Sequence, residues 1–377
     1  MTVFRNLVGI AAAFLCVPSA LFQSSGPQID NGRYIRSITA TPDGSNLVLG
    51  LYEPHGKNFA ISLTPLSGRI LWQREFEPIP TKLVMGPDGH TLALGFGGVF
   101  GDGPGVLILN STSGKQEQAL GADDKLDFEP GAMYNTWGNG IVGLAFSPDQ
   151  GLLYGVSNDT LFAWDLKAQH YLWVQDIPGV FETPRDLHDI LPYGHASALA
   201  LSPDGKQLAA ARTVLHVTSA GSTRPVHFIS RGSKDIQMLS PGRPVFSSDN
   251  KVLAAGDAAP LDRQGNRSYA LEYWVGSNPR GTRVPGCGGG IAWTDQPDIF
   301  GCQDTAGAHL RNIHDPTKDI GAAGPPSDLP ILKVGNSLWS VAYKNGDWKD
   351  ATKPLPLTLV ELGTGKRLTI TLPGRGK

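Results

Sequence analysis

Short apolar runs recur along the chain, and each ends in a turn of the same chemistry. The clearest copies are Ser37-Ile-Thr-Ala-Thr-Pro-Asp-Gly44, Lys82-Leu-Val-Met-Gly-Pro-Asp-Gly89, Leu144-Ala-Phe-Ser-Pro-Asp-Gln150 and Leu199-Ala-Leu-Ser-Pro-Asp-Gly205. Weaker copies are Val245-Phe-Ser-Ser-Asp-Asn250, Ile291-Ala-Trp-Thr-Asp-Gln296 and Ile331-Leu-Lys-Val-Gly-Asn336. Proline presets φ for a turn, and an aspartate can bond back to its own main chain, so each phrase predicts a strand entering a tight turn. A second apolar run follows each turn. Around Leu144 the pattern predicts four short strands in succession, from Ile141 to Phe146, Leu152 to Val156, Leu161 to Asp165 and His170 to Gln175. Other units end in a second hairpin through Ser67-Gly68, Ser113-Gly114 or Gly363-Thr-Gly365, the glycine-containing turns that join antiparallel strands.

One four-stranded sheet cannot bury both of its faces, whereas sheets stacked in a ring can. The repeat spacing, roughly 40 to 60 residues, is the range of such units. The sequence therefore predicts an all-β fold, a single β-propeller of about seven four-stranded antiparallel blades over residues 33–372. Glycine (47) and proline (29) are frequent enough to punctuate that many strands. The Ser-Pro-Asp-Gly phrase and the four-strand unit resemble the WD-repeat and YVTN-type β-propellers across nearly the whole of that span. Trp164-Asp165, closing a third strand, resembles the WD dipeptide, and Gly194-His195, before an inner strand, resembles the GH dipeptide. Each occurs once, in different blades, and Leu153-Tyr-Gly-Val156 is the nearest approach to YVTN. The resemblance implies a divergent member. Its relatives include scaffolds, lactonases and quinoprotein-type dehydrogenases, so it does not select an activity.

Residues 1–25 differ from the rest. Arg5 precedes an apolar run from Leu7 to Leu15, Pro18 ends the run, and small residues follow. This reads as a secretory signal peptide too short to be a comfortable membrane span, and predicts a secreted or periplasmic protein without a stable membrane span once the signal is gone. Cys16 would leave with it. The remaining Cys287 and Cys302 flank a predicted hairpin, nearly symmetric about Thr294 to Pro297. An even cysteine count in an exported chain favours a disulfide between them, on directly opposed strand positions. Lysine plus arginine (32) nearly balances aspartate plus glutamate (34), which provides no field for gathering nucleic acid.

Loop lengths carry the functional signal. In a propeller blade the first and third turns share one rim, and here they are short. The second turns and the links between blades share the other rim. They include Gly97 to Gly105, Gly121 to Gly140, Pro178 to Gly194, Asp257 to Asn266 and Lys344 to Pro356. Long loops on a rigid scaffold commonly carry function. Two of these insertions follow adjacent blades and supply the candidate ligand-binding residues: Asp124, Asp127, Glu129, Tyr134 and Trp137 in one, Arg185, His188, Asp189, Tyr193 and His195 in the other. The aromatics suit a sugar, an aromatic ligand or a protein anchor; the same rings could instead cover the end of the ring. His195 equally fits the structural hydrogen-bond network of a GH position. The carboxylates around Asp124 could take calcium, but lack the spacing of a calcium loop, so no cofactor and no metal is predicted. Catalytic residues are unassigned, since no nucleophile elbow, phosphate loop or metal-ligand spacing is present. The leading expectation is an exported, monomeric, non-catalytic propeller that binds a protein or small ligand on its long-loop rim. The alternatives are a lactonase-like hydrolase with a metal or water at the channel mouth, and a quinoprotein-type oxidoreductase subunit.

Overall fold

The computed structural model describes residues 32–54, 57–97, 105–120, 141–157, 160–176, 199–210, 213–218, 221–228, 243–258, 269–276, 282–287 and 290–375. Within them lie strands β1 to β28, running from Tyr34 to Leu372. They form seven sheets of four consecutive strands, each an antiparallel meander, from β1–β4 through β25–β28. The first strands of the blades are β1 (Tyr34–Ala40), β5 (Ile79–Met85), β9 (Ile141–Phe146), β13 (Leu199–Leu201), β17 (Arg243–Phe246), β21 (Ile291–Trp293) and β25 (Leu332–Val334). Each packs beside the next, and β25 returns to β1, so the ring is closed. The predicted fold class is the observed one.

Alternation along the strands explains the packing. Leu47, Leu49 and Leu51 of β2 (Leu47–Tyr52) join a core shared with blade seven, while Val48 joins a core shared with blade two. Successive side chains point to opposite faces of a sheet, so every residue of such a strand can be apolar. The same division holds around the ring, where seven separate apolar clusters each fill the wedge between two neighbouring blades. This is why the strands read as continuous apolar runs rather than half-polar ones.

The repeated turn phrase is a lock. In blades three, four and five, the hydroxyls of Ser147, Ser202 and Ser247 donate to Asp149, Asp204 and Asp249 at 2.6, 2.6 and 2.7 Å. Each serine oxygen also accepts the main-chain N–H five residues on, from Leu152, Gln207 and Val252. The turns touch their neighbours around the entire rim. Pro42 lies against Gly89. With its amide turned to satisfy both partners, Gln150 donates to Asp88 Oδ2 (2.7 Å) and accepts from the Asp88 N–H (2.8 Å). Pro148 lies against Gly205, and Asn250 accepts from the Asp204 N–H. Ser248 donates to the Asp295 carbonyl, Lys333 pairs with Asp295, and the Gly335 N–H reaches the Pro42 carbonyl. Seven turns thus form an unbroken belt.

The hydroxyl donation from Ser147 and Ser247 holds Asp149 and Asp249 below the ordinary carboxylate range, Asp249 at about 2. A depressed folded value contributes stability that is present above the unfolded value of about 3.9 and is lost as pH falls through the folded one. Melting temperature should therefore decline between about pH 4 and pH 2. The Ser147→Ala, Ser202→Ala, Ser247→Ala variant should melt lower at neutral pH and show a flatter decline; thermal melts across that range check both.

The second hairpins behave as read. Gly68, Gly114, Gly363 and Gly365 all take positive φ. At Gly114 (φ 68°) a Cβ would also lie 2.6 Å from the Trp72 ring, whose indole N–H donates to the Ser111 carbonyl. Trp164, of the WD-like dipeptide, sits on β11 (Thr160–Asp165), donates to Gln118 Oε1 of the preceding blade and meets Tyr171 edge-on. Asp165 caps the following turn through the N–H groups of Lys167 and Ala168. Both residues act in packing.

The Cys287–Cys302 disulfide is formed, with Cα atoms 5.0 Å apart, but the expected opposed-strand geometry is corrected. Cys302 lies within β22 (Ile299–Gln303), and its partner across the hairpin is Ile291. Cys287 precedes the hairpin, in the link from blade five, at φ 69°. The bridge therefore ties one blade's exit to the next blade's second strand, inside their shared core.

Ring closure is non-covalent, because blade one uses only N-terminal strands and blade seven only C-terminal ones. Glu53 is buried at the seam and faces two arginines. Arg33 Nε donates to Glu53 Oε1 at 2.6 Å, and Arg375 donates to Oε2 at 3.1 Å. The Arg33 guanidinium also covers the rings of Phe59 and Trp348, 5.4 and 4.7 Å from their centroids, and the Arg33 main-chain N–H donates to the Trp348 carbonyl.

Candidate functional site

The antiparallel meander puts the belt turns on one rim. The second turns and the links between blades lie on the other. Leu120, Ile141, Asp176 and Leu199 end their strands at that second rim, and residues 121–140 and 177–198 lie outside the described residues. Asp124, Asp127, Glu129, Tyr134 and Trp137 fall in the first of these stretches, and Arg185, His188, Asp189, Tyr193 and His195 in the second, all outside the described residues. The two stretches leave and enter the sheets on either side of blade three, at the ends of β8 (Gln116–Leu120), β9, β12 (His170–Asp176) and β13.

The loop from Lys344 to Pro356 is described, and it is a seal. Trp348 is 2% exposed and its indole N–H donates to the Lys353 carbonyl. Asp347 accepts from the Lys344 N–H, and Asp350 from the Thr352 N–H and hydroxyl. The Asn345 N–H donates to Asp328, and the Arg375 N–H reaches the Ala351 carbonyl. One of the five long connections is thus spent on closing the ring.

The inner strands of blades one, two and three share an irregularity near this rim. The register shifts between Ile35 and Ser37 and between Pro80 and Lys82, and in blade three the pairing skips Val142. Among the described residues, no such shift marks the pairing of β13, β17, β21 or β25 with its neighbour. A bulge leaves one residue out of the ladder and re-aims its side chain. In blades one and two those residues are Arg36 and Thr81. Hydroxyls stitch the same strand ends together. Tyr343 of blade seven accepts from the Ile35 N–H (3.0 Å), Ser37 donates to the Pro80 carbonyl (3.3 Å), and Thr81 donates to the Ile141 carbonyl (3.2 Å). Ile141 is the first residue after the first long insertion.

Arg36 belongs to the blade-one strand of that set, partly exposed. Its guanidinium lies 5.3 Å from the Tyr34 ring centroid and 4.9 Å from that of Tyr52. The two tyrosines are a cross-strand pair, 6.0 Å between centroids. Burial pushes Arg36 below its usual value, while Tyr343, Tyr52 and Tyr34 favour its charge; burial also pushes Tyr343 well up. This cluster is a site that loop length alone does not nominate. Its one visible sign is the charge of Arg36 within the inner strand β1. Among the described residues, no group of three or more histidine, cysteine, aspartate or glutamate side chains is placed to hold a metal ion.

No family model matches the chain, and no curated protein matches it by sequence. Solved structures do match. A chain of hydrazine synthase from Kuenenia stuttgartiensis superposes with a TM-score of 0.58 at 12% identity, over 93% of this chain and 98% of that one. U3-55K gives 0.51 at 15% identity, over 82% and 88%. The WD40 repeats of RRP9 give 0.47 at 14% identity, over 82% and 86%. At such identities the likeness is one of fold alone, and the fold is a β-propeller of seven four-stranded blades.

Proposed function

We propose that the protein is exported and works as a non-catalytic propeller that binds a protein partner through the rim opposite the turn belt. The observation that supports this most is the asymmetry between the rims. One rim is consumed by turn-to-turn contacts around all seven blades. The other is where the long connections leave the strands, one of them entering the hydroxyl-stitched inner strand of blade three at Ile141. A rigid scaffold with its variation gathered on one face is the usual arrangement of a binding module. The disulfide and the apolar N-terminal segment support an oxidising compartment outside the cytosol.

Cross-linking through lysine amines, in the native extracellular or periplasmic fraction, tests the choice of rim. Lys125, Lys344 and Lys349 belong to loops of the binding rim, whereas Lys206, Lys251 and Lys333 belong to the belt. Partner peptides should map to the first group and disappear when residues 122–137 are replaced by a short Gly-Ser link. Cross-links confined to the belt lysines would overturn the assignment.

A further inference from the structure

We infer that His309 is a proton-dependent clamp on blade six: its charged ring joins two carboxylates near the loop-bearing rim, and loss of one proton releases the turn that begins at Asp304. This role lies beyond partner binding and can be followed on the isolated protein.

A tight meander assembles the clamp. His309 is the second residue of β23 (Ala308–Asn312), opposite Cys302 of β22. Asp304 opens the turn between those strands, which is the second turn of the blade, and Asp319 closes β24 (Asp315–Asp319) on the other side of β23. His309 Nδ1 lies 2.8 Å from Asp319 Oδ2, and Nε2 lies 3.3 Å from Asp304 Oδ1. The ring is largely buried, and so is the neighbouring side chain of Arg311.

The acceptors dictate how many protons the ring carries. Asp304 Oδ1 already accepts from the main-chain N–H groups of Ala306 (2.7 Å) and Gly307 (3.1 Å), so what it takes from the ring is a donor. Burial opposes the charge of Asp319, but hydrogen bonds from His309 and Arg311 outweigh it and hold that carboxyl below its ordinary range. An ionised carboxylate only accepts. Both ring nitrogens therefore face acceptors, and only the imidazolium donates from both. Charge balance agrees. The charged groups facing the ring are Asp304, Asp319 and Arg311, and a charged His309 brings the four to neutrality. Across the hairpin, Cys302 is bridged to Cys287 and carries no charge. Residues 320–324, which bond back to Leu310 and Ala308, have no titratable side chain.

A neutral ring has a single donor. The shorter contact keeps it, because Asp319 is also held by Arg311 Nε at 2.9 Å. The proton thus stays on Nδ1, and the Nε2 lone pair is left against Asp304 Oδ1, where contact turns to repulsion. The turn beyond Asp304 has little slack. It is closed by Asp304 and Gly307, Ala308 and Gly324 exchange both main-chain hydrogen bonds, and a Cβ on Gly307 would lie 2.4 Å from the Gly324 carbonyl. The same link pairs through Ala322 with Gly363 of blade seven. The clamp therefore bears on the junction between blades six and seven.

Nuclear magnetic resonance of the full chain, labelled with ¹⁵N at histidine and glycine, tests this from about pH 5 to about pH 9, which spans the ordinary histidine range. His309 is identified by the ring signals lost in His309→Gln. Both ring nitrogens should carry protons at the acidic end, and Nδ1 alone at the alkaline end. The Gly307 and Gly324 amide signals should move together with the ring, and should stay still across that range in His309→Gln. Asp304→Asn keeps the turn's acceptor but removes one charge, and should move the joint transition down by about one pH unit. If His309→Gln fails to fold, the displaced transition in Asp304→Asn identifies the ring instead. A ring that is already neutral at the acidic end, a proton retained on Nε2 rather than Nδ1, glycine amides that ignore the ring, or an unmoved transition in folded Asp304→Asn would each overturn the inference.

Discussion

Glu53→Gln should lower the unfolding free energy by about 3–5 kcal/mol, the range for breaking a buried ion pair from one side. Glu53 and Arg33 side chains are 4% and 7% exposed, and their closest ion-pair contact is 2.5 Å. Removing the carboxylate charge leaves Arg33 buried beside a neutral amide, with its cation still held between Phe59 and Trp348. It also frees Arg375, which is half exposed and can turn to water at little cost. The asymmetry between the two arginines yields a sharper expectation. Arg375→Ala should cost about 1 kcal/mol or less, in line with a solvent-reachable pair, whereas Arg33→Ala should approach the Glu53→Gln effect. A double replacement, Arg33→Met with Glu53→Leu, should recover much of the loss, since an apolar pair of similar volume leaves no unpaired charge. Urea denaturation of the four variants checks the order. Equal effects of Arg33→Ala and Arg375→Ala would contradict the view of Glu53 as the seam's buried counter-charge.

Trp348→Ala should cost a further class-leading amount for a single residue, about 3–5 kcal/mol, as for other buried large aromatics. The indole is 2% exposed and joins the core shared by blades one and seven, with Ile35, Leu51 and Phe59. Three terms add at this position. The cavity removes dispersion contacts with that core, the Lys353 carbonyl loses its donor, and Arg33 loses one of its two aromatic faces. Because Trp348 and Arg33 touch, the two losses should not be additive. The double variant Trp348→Ala, Arg33→Ala should be less unstable than the sum of the singles, by 0.5 kcal/mol or more. A sum that is simply additive would mean that the stack is incidental to closure.

Both expectations concentrate at one seam for a topological reason. Six of the seven junctions are crossed by a covalent chain connection, and the junction between blades seven and one is not. It must therefore be held by non-covalent contacts alone, and among the described residues it holds the largest of the seven apolar clusters. The Lys344 to Pro356 loop illustrates how loop length misleads. Its length resembles that of a binding loop, yet Asp347 and Asp350 close turns within it and Trp348 anchors it in the seam core beside Arg33. Nothing in the local sequence distinguishes the two roles, because the partners Arg33, Asp328 and Arg375 are distant along the chain.

The order of the blades, the positions of their turns and the alternation of their faces follow from the sequence alone. They depend on neighbours within a few residues: a proline that presets φ, an aspartate that bonds to its own turn, a serine hydroxyl that replaces a ladder bond. The same locality explains why the disulfide partners were readable while their geometry was not, since Cys287 meets Cys302 through a link between blades rather than through strand register. The tertiary structure alone decided how the ring closes, which long loop is a seal, and that the Arg36 guanidinium lies over the neighbouring rings of Tyr34 and Tyr52. Those features join residues that are close only after seven wedges have packed, and contact at such separations leaves no periodic trace in the chain.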